Sequence, residues 1–292
     1  MTTRGAKCDD GRVSKSEVVQ PVPHPIDLAW TVASHGWAYL SPWRWDLDAG
    51  ILERDERVDG ELGRIAIVQS GTARITIRWE GWEPSVEPVV IRRVRRWLSA
   101  DWDPTEAIAT LGEYGELIRS GGGRILRCSS FYEDFVKTVL TINTAWSATR
   151  RMAAAVVSEP GGGAFPLPEA ILDYGELRLR ERAKLGFRAA TILSATRRMV
   201  DEGVIDQNGE GRPDYEYLIG LRGIGPYAAA HSRLLLHDFS RIPVDSVAIA
   251  YLRDRHASDP IAFAASNRGW GAYLALGYRL ARLSERLGLS PA

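Results

Sequence analysis

The period of the hydrophobic pattern changes near residue 91, and this change limits the folds open to the chain. Before that point, the run ARITIRW alternates, with Ile75, Ile77 and Trp79 on one side and polar residues on the other, as in a half-buried antiparallel strand. Beyond it, apolar residues recur at helical spacing, as Phe135 and Val139 do. The pattern predicts an α+β fold. Its parts are a flexible tail (1–19), an antiparallel β domain (20–90) and an α-helical core (91–292).

Tryptophan is concentrated in the first part of the chain. Eight of the ten tryptophans lie within the first 102 residues. Strands favour such side chains, so we expect an aromatic core for the sheet. Stacking of these rings on nucleic-acid bases is the alternative.

Composition indicates a globular protein of the cytoplasm. The chain has 292 residues, 45% apolar and 25% charged, and no apolar run approaches the roughly 18 residues of a membrane span. The polar N-terminus has no apolar signal core. The two cysteines, Cys8 and Cys128, give neither a metal-binding spacing nor an iron–sulfur motif.

The charge pattern leaves nucleic-acid binding open. A formal net charge of zero argues against indiscriminate coating of nucleic acid, which depends on many basic side chains. Locally, arginines cluster in IRRVRRW (91–97) and between residues 178 and 200. These basic segments are compatible with DNA contact and equally with a solvated surface.

The segment LIGLRGIGPYAAAHS contains a turn rich in glycine. Gly223 and Gly225 allow backbone conformations that other residues avoid, and Pro226 suits the first turn of a helix. A hairpin over 215–231 would present free N–H groups at a helix N-terminus, where phosphate binds. A tight corner between two helices that only pack together is the alternative.

A single aspartate follows this hairpin in the run RIPVDS. Asp245 or Ser246 is suited to cap the next helix. Capping alone explains an aspartate at this place, and a catalytic carboxylate is the second interpretation.

Several motifs, in this order along the chain, resemble those of the helix–hairpin–helix DNA glycosylases. The resemblance covers 91–285 firmly and 20–90 loosely, and is greatest for the alkylpurine and 8-oxoguanine branches. The matching segments are 24–45, the first core helix at 132–152, AFPLPEAI (164–171), KLGFRAATI (184–192), LIGLRGIGPYAAA (218–230), IPVDS (242–246) and WGAYLALGY (270–278).

The resemblance implies a monofunctional DNA glycosylase of base excision repair in which Asp245 is the catalytic carboxylate. The bifunctional branch has a nucleophilic lysine where this chain has Tyr227, so no lyase step is expected. Alkylated purines are the expected substrates. An 8-oxoguanine or deaminated-base glycosylase, or a non-catalytic DNA-binding protein, is the alternative.

The same resemblance implies a set of site residues. Tyr227, His231 and Trp270 would line the base pocket, although each of these side chains also suits core packing. Asn143 would fill the gap left by a flipped base, and a hydrogen bond at a helix end is its alternative role. The N–H groups of Gly223, Gly225 and Ala228 would bind one DNA phosphate.

Cofactors and partners also follow from the resemblance. No cofactor is required and no iron–sulfur cluster is expected. The main-chain carbonyl groups of Ile219, Leu221 and Ile224 would hold a structural K⁺ or Na⁺ ion. We expect a monomer acting on double-stranded DNA that contains a damaged base, in the cytoplasm, nucleoid-associated in a prokaryote and without a membrane partner.

Overall fold

A computed structural model describes residues 15–288. Its sheet has five antiparallel strands in the order β1-β5-β4-β3-β2. The strands are β1 (Lys15–Pro21), β2 (Trp43–Asp46), β3 (Ile51–Val58), β4 (Glu61–Gly71) and β5 (Arg74–Glu80). The α+β class and the antiparallel sheet are therefore as predicted.

Strand β5 has most of the alternation predicted from the sequence. Ile75, Ile77 and Trp79 are buried, but Thr76 on the predicted polar side is buried as well. The chain turns from β4 into β5 after Gly71. The predicted tail is too long, because strand β1 pairs with β5 from Lys15 onward. Residues 1–14 of that tail lie outside the described residues.

Helices form the rest of the described chain. They are α1 (Leu28–Val32), α2 (Glu87–Trp97), α3 (Thr105–Thr110), α4 (Gly115–Arg119), α5 (Phe131–Thr141), α6 (Trp146–Ser158), α7 (Pro168–Glu181), α8 (Arg188–Asp201), α9 (Tyr215–Ile219), α10 (Pro226–Leu234), α11 (Ser246–His256), α12 (Pro260–Ser266) and α13 (Leu274–Leu287), with short 3₁₀ turns at Gly36–Tyr39, Pro84–Val86, Gly112–Tyr114 and Arg268–Tyr273. No helix within residues 15–288 is long and apolar enough to cross a membrane.

The segment 132–152 is two helices rather than the single helix that the resemblance implied. Helix α5 ends at Thr141 and α6 begins at Trp146. Between them Asn143 has a φ of 47°, which a continuous right-handed helix does not allow. The Arg188 side chain donates hydrogen bonds to the carbonyl oxygens of Ile142 and Asn143, and so holds this turn.

A buried ion cluster joins the sheet to the helical part. Arg54 of β3 is fully buried and lies 4.5 Å from the ring centroid of Trp43. Its guanidinium donates to Glu133 of α5 at 3.0 Å, and Lys137 lies 2.8 Å from the same carboxylate. Because each charge has an opposite partner, burial of the cluster is tolerated.

Candidate functional site

A cavity of about 910 Å³ opens between the two parts of the molecule. Its walls are formed by the chain before β2, residues 123–125, the α5–α6 turn, the starts of α10 and α11, and α13. Its aromatic lining includes Trp30, His35, Trp37, Tyr39, Trp146, Tyr227, His231 and Tyr278. The volume is in the range of ligand pockets, and aromatic walls suit a flat ligand.

The glycine-rich segment forms two helices, α9 and α10, joined by a tight turn. Gly223 has a φ of +82°, and a Cβ atom there would lie 2.7 Å from the Thr191 hydroxyl. Pro226 opens α10, as the sequence predicted. Gly225 is the N-cap of this helix, but its extended backbone (φ −99°) is open to any residue, unlike the conformation expected for it. The N–H groups of Gly223, Gly225 and Ala228 donate no backbone hydrogen bond to any described residue. Unused donors at a helix N-terminus are suited to bind an anion.

Asp245 lies on the wall of the cavity and also caps α11. One of its carboxylate oxygens accepts the N–H of Ala248 at 2.7 Å, so Asp245 rather than Ser246 is the cap. The side chain is exposed to the cavity and solvent. Burial raises the pKa of Tyr227 and of Tyr278, and the charge of Asp245 adds to both shifts. The carboxylate therefore lies within electrostatic range of these tyrosine hydroxyls.

Tyr227 and His231 share one wall, as their four-residue spacing predicts. Their rings stack with centroids 5.8 Å apart and an interplanar angle of 22°. The Trp37 ring meets His231 edge-on at 5.0 Å. Both residues line the cavity, so the structure brings them to the site that the resemblance implied.

Hydrogen bonds determine the tautomer of His231, and burial keeps its ring uncharged. The Thr138 hydroxyl donates to the carbonyl of Asp134 at 2.8 Å, so its oxygen is left to accept the N–H of His231 Nδ1 at 3.0 Å. Burial, and then the charge of Arg279, lower the pKa of His231 to about 3. The ring is therefore neutral at pH 7, and Nε2 has a free lone pair.

Trp270 does not belong to the cavity. Its ring lies in the core, 6.0 Å from Tyr114 and 5.8 Å from Phe263. A Cβ atom on Gly277 would lie 2.4 Å from the Trp270 ring, so this glycine lets the indole pack flat on α13. The structure favours core packing, and the pocket position expected from the resemblance is not observed.

Asn143 lies exposed at the edge of the cavity. Its side chain forms no hydrogen bond with any residue in 15–288, although its carbonyl oxygen accepts one from Arg188. The helix-end hydrogen bond that was the alternative for this side chain is thus not observed.

Several residues of the cavity lining were not predicted from the sequence. Among them are Trp37, which was expected in the aromatic core of the sheet, and His35. Arg279 of α13 also lines the cavity. The available signal was the spacing of arginines at 279, 282 and 286, which places them on one face of a helix.

Within residues 15–288, no group of three or more His, Cys, Asp or Glu side chains is arranged to hold a metal ion. The proposed main-chain cation site has different donors. The carbonyl oxygens of Ile219 and Ile224 accept no backbone hydrogen bond from the described residues, and that of Leu221 accepts one from Ile224 at 3.1 Å. All three therefore keep lone pairs that fit a hard monovalent cation.

No family model matches the chain, and no curated protein matches it in sequence. Solved structures of DNA glycosylases share its fold. A 3-methyladenine DNA glycosylase from Archaeoglobus fulgidus is 19% identical with a TM-score of 0.67, over 92% of this chain and 98% of that one. An 8-oxoguanine glycosylase/lyase from Clostridium acetobutylicum in its apo form is 14% identical with a TM-score of 0.67, over 92% and 96%.

The second of these proteins has also been solved with double-stranded DNA that contains cytosine opposite 8-oxoguanine. That structure is 13% identical with a TM-score of 0.60, over 93% of this chain and 99% of that one. The chain thus has the fold of these glycosylases over more than nine tenths of its length, and the resemblance to DNA glycosylases is confirmed at the level of fold.

Proposed function

We propose that this protein is a monofunctional DNA glycosylase that hydrolyses the N-glycosidic bond of a damaged, flipped nucleotide. One observation carries the proposal: the exposed carboxylate of Asp245 shares an aromatic-walled cavity with the N-terminus of α10, whose N–H groups are free. Aromatic walls hold a base outside the stack, and a carboxylate stabilises the cationic sugar that forms as the bond breaks.

The reaction is a displacement at C1′. The bond from C1′ to the base nitrogen breaks and its electron pair leaves with the base, so positive charge develops on the sugar. Asp245 stabilises that charge and accepts a proton from the attacking water, whose oxygen bonds to C1′. The proton ends on the released base or in solvent, and the products are a free base and an abasic site.

The turn between α9 and α10 binds the DNA backbone. The N–H groups of Gly223, Gly225 and Ala228 bind one phosphate beside the flipped nucleotide. A K⁺ or Na⁺ ion held by the carbonyl groups of the same turn would add positive charge next to that phosphate. Asn143 fills the gap in the duplex from the edge of the cavity.

The absence of a lyase step follows from the nucleophiles available. A Schiff base needs an amine, and Tyr227 has a phenol. None of the lysines in residues 15–288 lines the cavity, and Lys137 is buried in the ion cluster. The abasic site is therefore left intact.

The substrate has two candidate chemistries. The aromatic walls fit an alkylated purine, whose positive charge is attracted to ring faces. They fit an oxidised or deaminated base equally well by stacking. A non-catalytic DNA-binding protein is disfavoured, because such a protein needs no carboxylate in an aromatic-walled cavity.

Base release from damaged duplexes tests the proposal. Duplexes containing 3-methyladenine, 8-oxoguanine, hypoxanthine or uracil are incubated with the protein, and abasic sites are cleaved with alkali. We expect release from at least one duplex and a loss of about 10²-fold or more in Asp245→Asn. Release from none of them, or full activity in Asp245→Asn, would refute the proposal.

Asp259→Asn is the matched control. Asp259 caps α12 through the N–H groups of Ile261 and Ala262, as Asp245 caps α11, but does not line the cavity. Since asparagine also caps helices, both variants keep their caps and only the Asp245 variant loses activity. A borohydride-trapped covalent adduct with DNA would contradict the monofunctional assignment.

A further inference from the structure

Arg279 is a cation without a partner on the wall of the cavity. It lies on α13 and is partly buried. Within residues 15–288 it forms no hydrogen bond, ion pair or ring contact. Burial, and then the neighbouring Arg282, lower its pKa to about 10, so the guanidinium is still charged at pH 7.

The fixed charges of the lining are mainly positive. They are Arg124, Arg279, Arg282, Arg286 and Asp245. Arg124 donates to backbone carbonyl groups and Arg282 to a tyrosine hydroxyl, while Arg286 is exposed at the rim. Arg279 is therefore a partly buried arginine of the lining whose N–H groups have no partner within residues 15–288 and are left for a ligand.

A hydrogen-bond acceptor lies on the same lining. His231 is neutral, and its Nε2 lone pair has no partner among the described residues. Charge on Arg279 contributes to lowering the pKa of both His231 and His35, with burial the larger cause. The two histidines are thus close enough to Arg279 to sense its charge, and all three residues line the same cavity.

We propose that Arg279 makes the cavity selective for an uncharged damaged base bearing a carbonyl oxygen, as oxidised and deaminated bases do, over a cationic alkylated purine. This inference rests on the glycosylase function proposed above. The guanidinium donates to the carbonyl oxygen of the base, and His231 Nε2 accepts from a ring N–H. A cationic base would bring a second positive charge next to the partly buried Arg279, where like charges repel more strongly than in bulk water.

The charge on the departing base is a second reason for this selectivity. When C1′ parts from a cationic alkylpurine, the electron pair of the bond neutralises the base, which departs uncharged. When C1′ parts from an uncharged base, the same pair makes an anion on the base. As this negative charge develops, the Arg279 guanidinium stabilises it by donating to the carbonyl oxygen of the base. The base anion then takes up the proton that the attacking water released.

The test compares the two classes of base in wild type and in Arg279→Gln, which keeps N–H donors and removes the charge. Single-turnover release is measured on duplexes with hypoxanthine, uracil or 8-oxoguanine, and on duplexes with 3-methyladenine. We expect wild type to release an uncharged base faster than 3-methyladenine. Arg279→Gln should lower release of the uncharged base at least tenfold and leave or raise release of 3-methyladenine.

Two further variants separate charge from structure. Arg279→Lys retains the charge and should keep more activity on the uncharged base than Arg279→Gln. Arg253→Gln removes an exposed arginine of α11 that does not line the cavity, and should leave both activities unchanged. Thermal unfolding of each variant verifies that the fold is intact.

The outcomes distinguish this inference from the function on which it rests. Release of 3-methyladenine alone by wild type, or an equal loss on both classes in Arg279→Gln, would overturn the selectivity and leave the glycosylase function standing. Release of no base from any duplex would refute the glycosylase function, and this inference with it.

Discussion

The cap that the structure shows for Asp245 and the catalytic role that we propose for it use different atoms. One oxygen accepts the N–H of Ala248 and fixes the start of α11, and the other has no hydrogen-bond partner within residues 15–288. A cap therefore holds the carboxylate in place while leaving charge available to a sugar. The two interpretations of this aspartate that the sequence left open are compatible.

Tyr227 provides a test of the cavity wall at a single residue. Its hydroxyl makes only a long contact of 3.3 Å with Thr141, so Tyr227→Phe should keep release within about threefold of wild type. Tyr227→Ala removes the stacking surface, and we expect a loss of about tenfold to a hundredfold, since base stacking is worth about 1–3 kcal/mol. Single-turnover rates on the best substrate measure both. Equal losses in the two variants would show that the hydroxyl, not the ring, is required.

At the scale of elements, the turn between α9 and α10 depends on the backbone conformation of its glycines. Gly223 adopts a positive φ against the Thr191 side chain, whereas Gly225 is extended with open space around it. The two glycines look alike in the sequence. Only one of them requires the absence of a side chain.

Gly223→Ala should therefore destabilise the protein by about 1–2 kcal/mol, the cost of a left-handed backbone for a residue with Cβ. The contact with Thr191 adds to that cost. Gly225→Ala is the control and should cost less than 1 kcal/mol, because its backbone is open to any residue and only its cap preference changes. Urea unfolding measures both. A larger loss in Gly225→Ala than in Gly223→Ala would contradict this account.

Elements with a strong local signal were predictable from the sequence. The alternation of β5, the proline that opens α10 and the cap at Asp245 each depend on residues close together in the chain. The break between α5 and α6 depends instead on Arg188, which reaches it from α8. The position of Trp270 also depends on another element: its ring packs against Gly277 of α13 rather than in the expected pocket.

The site could be predicted only where one segment supplied it. Tyr227 and His231 lie on one helix, and their shared face follows from spacing. Trp37 and Arg279 reach the cavity from opposite ends of the chain, and neither has a local pattern that marks it as a wall of that cavity. Long-range packing thus brings together wall residues that no single segment of the sequence marks.

At the scale of the whole molecule, the ion cluster joins the sheet to α5. Burial alone would raise the pKa of Glu133, but Arg54 and Lys137 outweigh it and lower the pKa to about 2. The carboxylate is therefore ionised in the folded protein. Its stabilising contribution is present above the unfolded pKa of about 4.3 and is lost only as the pH falls toward 2.

Glu133→Gln should destabilise the protein by about 3–5 kcal/mol, because it removes a buried counter-charge from the cluster. Lys137 loses its ion-pair partner, and Arg54 keeps only one of its two carboxylate partners. Glu17→Gln is the control, since Glu17 and Arg78 form an exposed pair worth at most about 1 kcal/mol. Urea unfolding at pH 7 compares the two. A loss of less than 1 kcal/mol in Glu133→Gln would show that the cluster does not hold the two parts together.

Between pH 7.5 and 5.5, the change of the free energy of unfolding with pH should come from buried histidines rather than from the ion cluster. Burial, and then neighbouring arginines, lower the pKa of His231 and His237 to about 3, and the pKa of His35 is also well below its usual value. In the unfolded chain these groups take up protons below about pH 6.5, while the folded protein does not. The contribution of these histidines to the free energy of unfolding is therefore fully present above that pH, and it is lost as the pH falls toward 3.

We expect each of these histidines to lower the free energy of unfolding by at most about 1.4 kcal/mol between pH 7.5 and 5.5. Urea unfolding at both pH values measures the sum. His237→Gln keeps a donor for the Ser99 hydroxyl, which His237 Nε2 contacts at 2.8 Å, but removes one titrating group, so the decline should be smaller in the variant. A wild-type protein equally stable at both pH values would contradict the neutral state assigned to these rings, and with it the free lone pair of His231 in the cavity.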